Sequence, residues 1–474
     1  MTARLASLLD DVEVLEVIGG DTGQVEVTGV TQDSRTVAGG NLYCCIPGRT
    51  VDGHDLAADV VTAGARSLLV ERWVDVAVTQ VRVPSTRVAV APVAAAFFGH
   101  PSRRLTIAGV TGTNGKTTTT HLLGAVLRTA GRRTAVVGTL SGQRTTPEAP
   151  VLQGQLASFL DDGYEAVAME VSSQALDQHR ADAIDFAVAV WTNLTRDHLD
   201  YHHDLESYFE AKARLFEAAR CRLAVVNGDD EWGRALIQRL EVPFTTYELS
   251  QVEDIDMGPA GAAFTWRGQR VTLAVAGTHN VSNALAAATA AYALGVDEQV
   301  IAEGLSAAPA IPGRWERIDE GQPFTVVVDY AHTPDGLVHV LGAARTVAAP
   351  GAGRVVVVFG CGGDRDRTKR PEMARVATEL ADVAILTSDN PRHEDPRAIL
   401  DETAAGAASA DRLEVEIDRD RAIGHAIAAA RPGDVVVVSG KGHETGQIIG
   451  DEVLPFDDRE VVRRHLASAL GTAR

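Results

Sequence analysis

A chain of 474 residues, 45% apolar and 23% charged, is long enough for two to four domains with hydrophobic cores of their own. Its 64 acidic residues outnumber 44 basic ones, and the formal net charge of −20 argues against a nucleic-acid-binding face. Any phosphorylated ligand must therefore be held by a few local cations, backbone amides or a metal ion.

The opening MTARLASLLDDVEVLEV carries acids where a signal peptide needs an unbroken apolar run, and no segment is long enough to span a bilayer. Cys44, Cys45, Cys221 and Cys361 show no CxxC spacing and read as buried residues or free thiols in a reducing compartment. These features point to a cytoplasmic protein, read here as a monomer that acts on small molecules, with neither nucleic acid nor membrane as partner.

Residues 1–98 read as a small mixed α/β domain. Short β-rich runs (VEVTGV, NLYCCIP, RSLLVE, VRVP) are separated by turn residues, and the alanine-rich helix APVAAAFFG closes the segment. HPSRR then reads as a linker. Residues 99–317 begin with the apolar strand LTIAGV, a glycine loop and a helix. The alternation continues through TAVVG, YEAVAMEV, FAVAVWTNL, a helix through YFEAKARLF, and RLAVVN, which implies a parallel sheet covered on both faces. The polar stretch PGRWERIDEGQP ends this block. Residues 318–474 repeat the alternation with FTVVVDYA, RVVVVFG, DVAILTSDN, RLEVEI and DVVVVSG. This is a second doubly wound, Rossmann-like sheet without a glycine-rich dinucleotide fingerprint. The fold class is thus α/β in three domains: a small mixed one, a central P-loop ATPase-type parallel sheet, and a C-terminal doubly wound domain. Two such sheets in tandem imply a cleft between them.

The sharpest chemical signal is GVTGTNGKTTTT after a strand. Backbone N–H groups of Gly112, Thr113, Asn114, Gly115 and the helix start at Thr117–Thr118 can cradle phosphates. Lys116 reaches the terminal phosphates, and the Thr117 hydroxyl can ligate Mg²⁺. Val110 stands where the usual spacing has a glycine, so Gly112 supplies the turn. The plain alternative is a turn before a helix. Glu170, closing YEAVAME, and Asp197 and His198, following FAVAVWTNL, could complete magnesium coordination. Alone, His198 is as readily a hydrogen-bonded structural histidine, and Glu170 a helix-capping acid.

The motifs GTNGKTT, MEVSSQALDQHR, TNLTRDHLDYH, YFEAKARLF, GTHNVSNALAA, PGRWER, DYAHTPDGL, GCGGDRDRTKRPEM, DNPR and GKGHET occur in this order. With QDSR near the start, they resemble the Mur ligases of cell-wall precursor synthesis over essentially the whole chain. The resemblance implies an ATP- and Mg²⁺-dependent ligase that adds the third residue of a stem peptide to UDP-N-acetylmuramoyl-L-alanyl-D-glutamate. ATP would phosphorylate the terminal carboxylate, and the amine of the incoming amino acid would attack the acyl phosphate. The resemblance further implies that Lys212 is carbamylated into a magnesium ligand beside Thr117, Glu170 and His198; without it, Lys212 reads as a solvated lysine on an amphipathic helix. By the same resemblance, His279, Asn280, Arg314 and Asp329 would hold the nucleotide. Ser34, Arg49, Thr50, Thr145, Thr146, Ser172, Gln178 and Arg180 would face the UDP-sugar dipeptide, with Arg144 a departure from the usual asparagine. Trp315, in place of a common methionine, would alter packing and not chemistry. Asp389, Asn390, Pro391 and Arg392 match the version of the motif that accepts meso-diaminopimelate, whose second carboxylate Arg392 can bind bidentately. Arg365, Gly440 and Glu444 would grip the rest of that amino acid, Glu444 meeting the distal ammonium. Asn-Pro is also a plain turn signal.

The alternatives are a folylpolyglutamate synthetase or the next ligase of the pathway, a P-loop switch protein, and a non-catalytic homologue. No guanine-reading NKxD motif is present, and Lys116, Thr117, Glu170, His198, Lys212 and Arg392 all are. A rigid-body closure of the third domain over the nucleotide is expected from the cleft.

Overall fold

Runs rich in Val, Ile and Ala become strands of sheets covered on both faces, because β-branched side chains fit a pleated, buried surface. A computed structural model describes residues 1–48, 50–142, 144–348 and 352–471. The first sheet contains β1 (Glu16–Ile18), β2 (Val30–Thr31), β3 (Leu42–Cys44), β4 (Ser67–Val70) and β5 (Thr79–Arg82). Their order is β1-β5-β4-β3-β2, with β1 antiparallel and the rest parallel. Helix Thr86–Phe97 buries an alanine- and valine-rich face against it. The stretch HPSRR is not a free linker. Pro101, its φ preset by the ring, opens a 3₁₀ turn over Pro101–Arg103, and Pro101 and Ser102 are buried.

The central sheet holds β6 (Thr106–Thr111), β7 (Thr134–Val137), β8 (Ala166–Glu170), β9 (Val188–Trp191), β10 (Ala224–Asn227) and β11 (Phe244–Tyr247). The order is β11-β10-β9-β6-β8-β7, and every pairing is parallel. Val110 of β6 pairs with Glu170 on one side and Val190 on the other. The loops after β6, β8 and β9 therefore leave the sheet at one carboxyl edge, where open α/β sheets bind ligands. Beyond β11 stands a three-stranded antiparallel meander, β12 (Val252–Gly258), β13 (Gly261–Trp266) and β14 (Gln269–Leu273). Arg267 and Gly268, at φ +46° and +76°, make the two-residue turn between the last two.

The third sheet comprises β15 (Glu316–Ile318), β16 (Thr325–Asp329), β17 (Val355–Phe359), β18 (Val383–Leu386), β19 (Leu413–Val415) and β20 (Val435–Ser439). Its order is β15-β16-β20-β17-β18-β19, parallel except for β15. All five apolar runs expected to be strands are strands, and Val355–Val358 and Val435–Val438 are buried throughout. Within PGRWERIDEGQP, Glu316–Ile318 pairs with β16 as an edge strand. An edge position tolerates its charged side chains, so a polar stretch can still be a strand. That strand also straddles the expected boundary at residue 317. Among the described residues no helix is long and apolar enough to cross a membrane.

Candidate active site

The glycine loop after β6 turns through backbone geometry that only glycine adopts cheaply. Gly112 has φ +150° and Gly115 φ +85°; a Cβ on them would lie 1.8 Å from Thr192 Oγ1 and 2.2 Å from Asn283 Oδ1. The helix Lys116–Thr129 starts directly behind, with its unpaired N–H groups facing the loop. Thr118 is buried on that first turn. The loop is braced by the strand end beside it. The Asn114 N–H donates to Asn193 Oδ1 at 2.9 Å, Thr192 Oγ1 donates to the Asn114 carbonyl at 2.6 Å, and the Thr113 N–H donates to the Asn193 carbonyl at 2.8 Å.

Two lysine side-chain amines share one acceptor here. Lys116 Nζ donates to the carbonyls of Gly112 and Thr113, both at 2.8 Å, and Lys212 Nζ donates to the Gly112 carbonyl at 2.7 Å. Lys212 is 1% exposed and lies over the Tyr208 ring at 4.5 Å, so it is not a solvated helix lysine. Burial, and then the neighbouring Lys116, hold its pKa well below the usual lysine value against the pull of Asp197. Lys116 is lowered by burial too, with Glu170 and Asp197 opposing. Glu170 does not cap a helix. Its carboxylate accepts from Thr117 Oγ1 at 3.0 Å, from the Thr139 N–H at 2.8 Å and from Thr139 Oγ1 at 3.2 Å.

Asp197 and His198 close the near side. His198 sits at φ +55°, a strained position for a non-glycine residue. Its backbone N–H donates to Asp197 Oδ1 at 2.9 Å, and its imidazole is 3.5 Å from the same carboxylate. Burial lowers the His198 pKa against the attraction of Asp197. Burial alone would raise Asp197, but His198, His332 and Lys369 around it hold it at about 2. The imidazole is thus neutral near pH 7 while the carboxylate is charged.

The nucleotide group expected from sequence also meets this cleft, which measures about 490 Å³ and includes His279, Asn280, Arg314 and Asp329. His279 and Asn280 open helix Thr278–Ala293, where Asn280 Nδ2 donates to the Ala276 carbonyl at 2.8 Å. Burial pushes His279 down to about 3. Arg314 stacks 4.2 Å over Tyr330 and donates to Thr117 Oγ1 at 3.2 Å. Asp329 accepts from the N–H groups of Trp315 at 2.6 Å and Ala331 at 2.8 Å. Trp315 is buried at φ +46°, a packing role. The third unit touches the cradle itself: Asp335 accepts from Asn114 Nδ2 at 2.7 Å and from Thr195 Oγ1 at 3.3 Å.

Of the residues expected to face a sugar-peptide, Thr145 and Ser172 line the cleft. Thr145 Oγ1 is 3.1 Å from Thr139 Oγ1, and Ser172 caps helix Ser173–Asp177 by accepting from the Ala175 N–H at 3.2 Å. Thr146 Oγ1 donates to the Glu170 carbonyl at 3.0 Å, and Arg180 donates to Thr146 O at 3.3 Å and to Gln178 Oε1 at 2.6 Å. Arg180 also pairs with Glu148 at 3.1 Å, which Gln32 and Arg144 reach from the other side. Ser34 starts a 3₁₀ turn and Thr50 is exposed, both outside the cleft lining. Arg49 lies outside the described residues.

The last group gathers apart from the cleft, on the carboxyl edge of the third sheet. Gly440 has φ +120° and passes so close to Asp389 that a Cβ would lie 2.5 Å from its carboxylate. Asn390 Nδ2 donates to Glu444 Oε2 at 2.9 Å. Pro391 continues into Arg392, at φ +49°, whose Nη1 donates to the Gly363 carbonyl at 2.8 Å. Arg365 adds a second guanidinium; burial, then Arg365, lowers the Arg392 pKa. Lys441 was missed although it stands in GKGHET. Fully buried, it donates to Asn390 Oδ1 at 3.0 Å, Glu444 Oε2 at 3.1 Å and the Gly446 carbonyl at 2.6 Å. Thr139, Asn193, Tyr208, His332 and Asp335 were also missed; all but Thr139 stand inside quoted motifs, whose spacing does not show which side chains turn to the cleft.

Three family models cover successive segments: "Mur ligase family, catalytic domain" matches residues 26–110, "Mur ligase middle domain" 110–291, and "Mur ligase, glutamate ligase domain" 313–442. A UDP-N-acetylmuramoyl-L-alanyl-D-glutamate--2,6-diaminopimelate ligase of Geobacillus thermodenitrificans is 47% identical, covering 93% of this chain and 95% of its own length. The Streptomyces coelicolor protein of the same name is 44% identical over 98% of this chain and 97% of its own. A solved structure of a ligase of that name is 33% identical, with a TM-score of 0.69, covering 99% of this chain and all of the other. Folylpolyglutamate synthase of Mycobacterium tuberculosis, in complexes with ADP and AMPPCP, shares the fold at 20% identity and a TM-score of 0.61, over 81% of this chain and 95% of its own. Relatives aligned from end to end, around the same phosphate cradle, make this chain a member of the Mur ligase family.

Proposed function

We propose that the chain is an ATP-dependent ligase that joins meso-2,6-diaminopimelate to UDP-N-acetylmuramoyl-L-alanyl-D-glutamate, in peptidoglycan precursor synthesis. Residues 1–98 would bind the nucleotide sugar, 99–317 ATP, and 318–474 the amino acid. The observation that carries the reading is the pair of lysines converging on the Gly112 carbonyl beside the Thr117–Glu170 contact. Two buried lysine amines that donate to carbonyl oxygens and not to a carboxylate suit a polyanion.

Lys116 exchanges its two carbonyl partners for the terminal phosphates of ATP, and the loop amides hold the rest. The dipeptide carboxylate attacks the γ-phosphorus in line, the bond to the β-phosphate oxygen breaks, and ADP leaves. The diaminopimelate amine then attacks the acyl carbon and expels phosphate. The loop amides hold the charge on the transferring group without reorganising, and Lys116 joins them once its carbonyl partners are exchanged. Thr117 and Glu170 offer hard oxygen donors 3.0 Å apart, which suit Mg²⁺, with His198 nearby. Bound there, the ion would neutralise phosphate charge. Among the described residues no three His, Cys, Asp or Glu side chains gather to hold a metal, so phosphate and water would complete its shell. Lys212 fits as a further ligand once its neutral amine adds carbon dioxide and releases a proton, giving a carbamate that also offsets Lys116. All four cysteines are buried and free, in keeping with a cytoplasmic setting.

Arg392 and Arg365 beside Asp389 and Glu444 support an amino acid with charges of both signs at its far end. The test is phosphate release from ATP with the UDP-sugar dipeptide, comparing meso-diaminopimelate with L-lysine. Turnover that requires the nucleotide sugar and favours diaminopimelate is the expected result. Turnover with lysine would overturn the role of Arg392, and none with either would overturn the ligase.

A further inference from the structure

The two arginines of the third-sheet pocket sit on different loops, and both loops are strained. Asp364, just before Arg365, has φ +52°, and Arg392 has φ +49°, left-handed positions without a glycine. They also bring two guanidinium groups together. Surrounding structure must over-determine such an arrangement.

Arg370, on the first turn of helix Lys369–Leu380, is wholly buried. One of its terminal nitrogens donates to Glu394 Oε2 at 3.0 Å and Glu402 Oε2 at 2.7 Å. The other donates to Glu394 Oε1 at 2.8 Å and the Gly362 carbonyl at 3.3 Å. Glu394 Oε1 accepts in addition from the backbone N–H of Asp364 at 2.6 Å. Glu394, two residues after Arg392, thus reaches across to the loop of Arg365 while Arg370 holds it from below. The two loops touch directly at Gly363, whose N–H donates to the Asn390 carbonyl at 2.9 Å; a Cβ there would fall 1.9 Å from the Pro391 carbonyl.

We propose that the Arg370–Glu394 pair is a positioning device: it sets the spacing of Arg365 and Arg392, and with it the preference for an amino acid bearing a second, distal carboxylate. The inference rests on reading this pocket as the diaminopimelate site. Neither residue touches substrate. Removing the charge of Glu394 loosens both loops, and the loss falls on the distal carboxylate alone.

Glu394→Gln keeps the side-chain size and is the variant to test, with Glu402→Gln as its control, since Glu402 binds Arg370 and, farther along the loop, Arg367, but neither the Asp364 backbone nor the loop of Arg392. For Glu394→Gln the KM for meso-diaminopimelate rises about tenfold, while the kcat and the KM for ATP stay within about twofold. Turnover with L-lysine, which lacks the distal carboxylate, is unchanged, so the preference ratio falls by the same factor. Hydrogen exchange speeds up about tenfold at the Asp364 amide and at that of His393, which donates to Asp364 Oδ2 at 3.3 Å, and elsewhere is unaltered. Glu402→Gln leaves the preference ratio in place. Equal losses on both amino acids, or unaltered exchange in Glu394→Gln, overturn the proposal. If the parent enzyme prefers an amino acid other than diaminopimelate, the substrate reading fails on its own. The exchange at the two loops then decides whether the clamp stands.

Discussion

The two carboxyl edges of this molecule treat charge in opposite ways. At the central edge, Lys116 and Lys212 point at one carbonyl oxygen, and Glu170 is engaged by Thr117 and Thr139 instead of by either lysine. At the third-sheet edge, the buried Lys441 is matched by Glu444 at 3.1 Å, and Arg392 feels Asp389 and Glu444 as well as Arg365. At the first site two lysine amines meet at a carbonyl with no carboxylate bonded to either, although Glu170 and Asp197 stand near, and the arrangement awaits an anion; at the second the lysine is paired and the pocket suits a zwitterion. Ligand charge can be read from what each site leaves uncompensated, because a buried charge without a partner is costly in a low-dielectric interior.

The largest effect expected from this contrast is on Lys116. Lys116→Ala should lower phosphate-release turnover about a thousandfold, roughly 4 kcal/mol of transition-state stabilisation, with the fold intact by circular dichroism. A variant retaining a tenth of the activity would break the contrast, since the excess cation would then be structural. Arg392→Lys comes next. A lysine keeps the charge but loses the planar fork, so the KM for meso-diaminopimelate should rise about thirtyfold while that for ATP holds. A parallel rise for ATP would mean that the two edges are not separate sites.

The strands of both large sheets were legible because VVVV-type runs admit little else, and the cradle was legible because glycine, lysine and threonine stand at fixed offsets after a strand. The meander at β12–β14 was not. Its first strand, VEDIDMG, is exposed without a break from Glu253 to Asp256 and so shows no alternation of faces, although GPAG and Gly268 mark its two turns. Edge strand β15 was hidden by its charged side chains. In the site, what escaped were residues whose role exists only in three dimensions. Thr139 meets Glu170 from 31 residues away, Asp335 meets Asn114 from 221, and Arg370 meets Glu394 from 24. Asp335 and Arg370 stand inside recognised motifs and Thr139 in none, but in no case does local spacing point to so distant a partner. Lys441 escaped although its motif was recognised, because spacing does not show that a lysine is buried between an amide and a carboxylate.

The smallest expected effect tests the unpaired Lys212 amine directly, through stability. Burial and Lys116 hold the folded-state pKa of Lys212 below its unfolded value, so the fold binds that proton more weakly than the unfolded chain does, at a cost to folding. That cost grows as pH falls from the unfolded lysine value towards the folded one, by about 1.4 kcal/mol per pH unit, and it vanishes above the unfolded pKa. Lys212→Met removes the cost at little change in shape. In buffers purged of carbon dioxide, the variant should therefore unfold at a higher temperature than the parent, and the gap should widen from pH 9 to pH 7. Bicarbonate should narrow it by stabilising the parent, whose amine would then carry a carbamate opposite Lys116. A gap that is flat with pH, or a variant less stable than its parent at pH 7, would mean that Lys212 is charged and fully paired in the fold. The central edge would then be as balanced as the third.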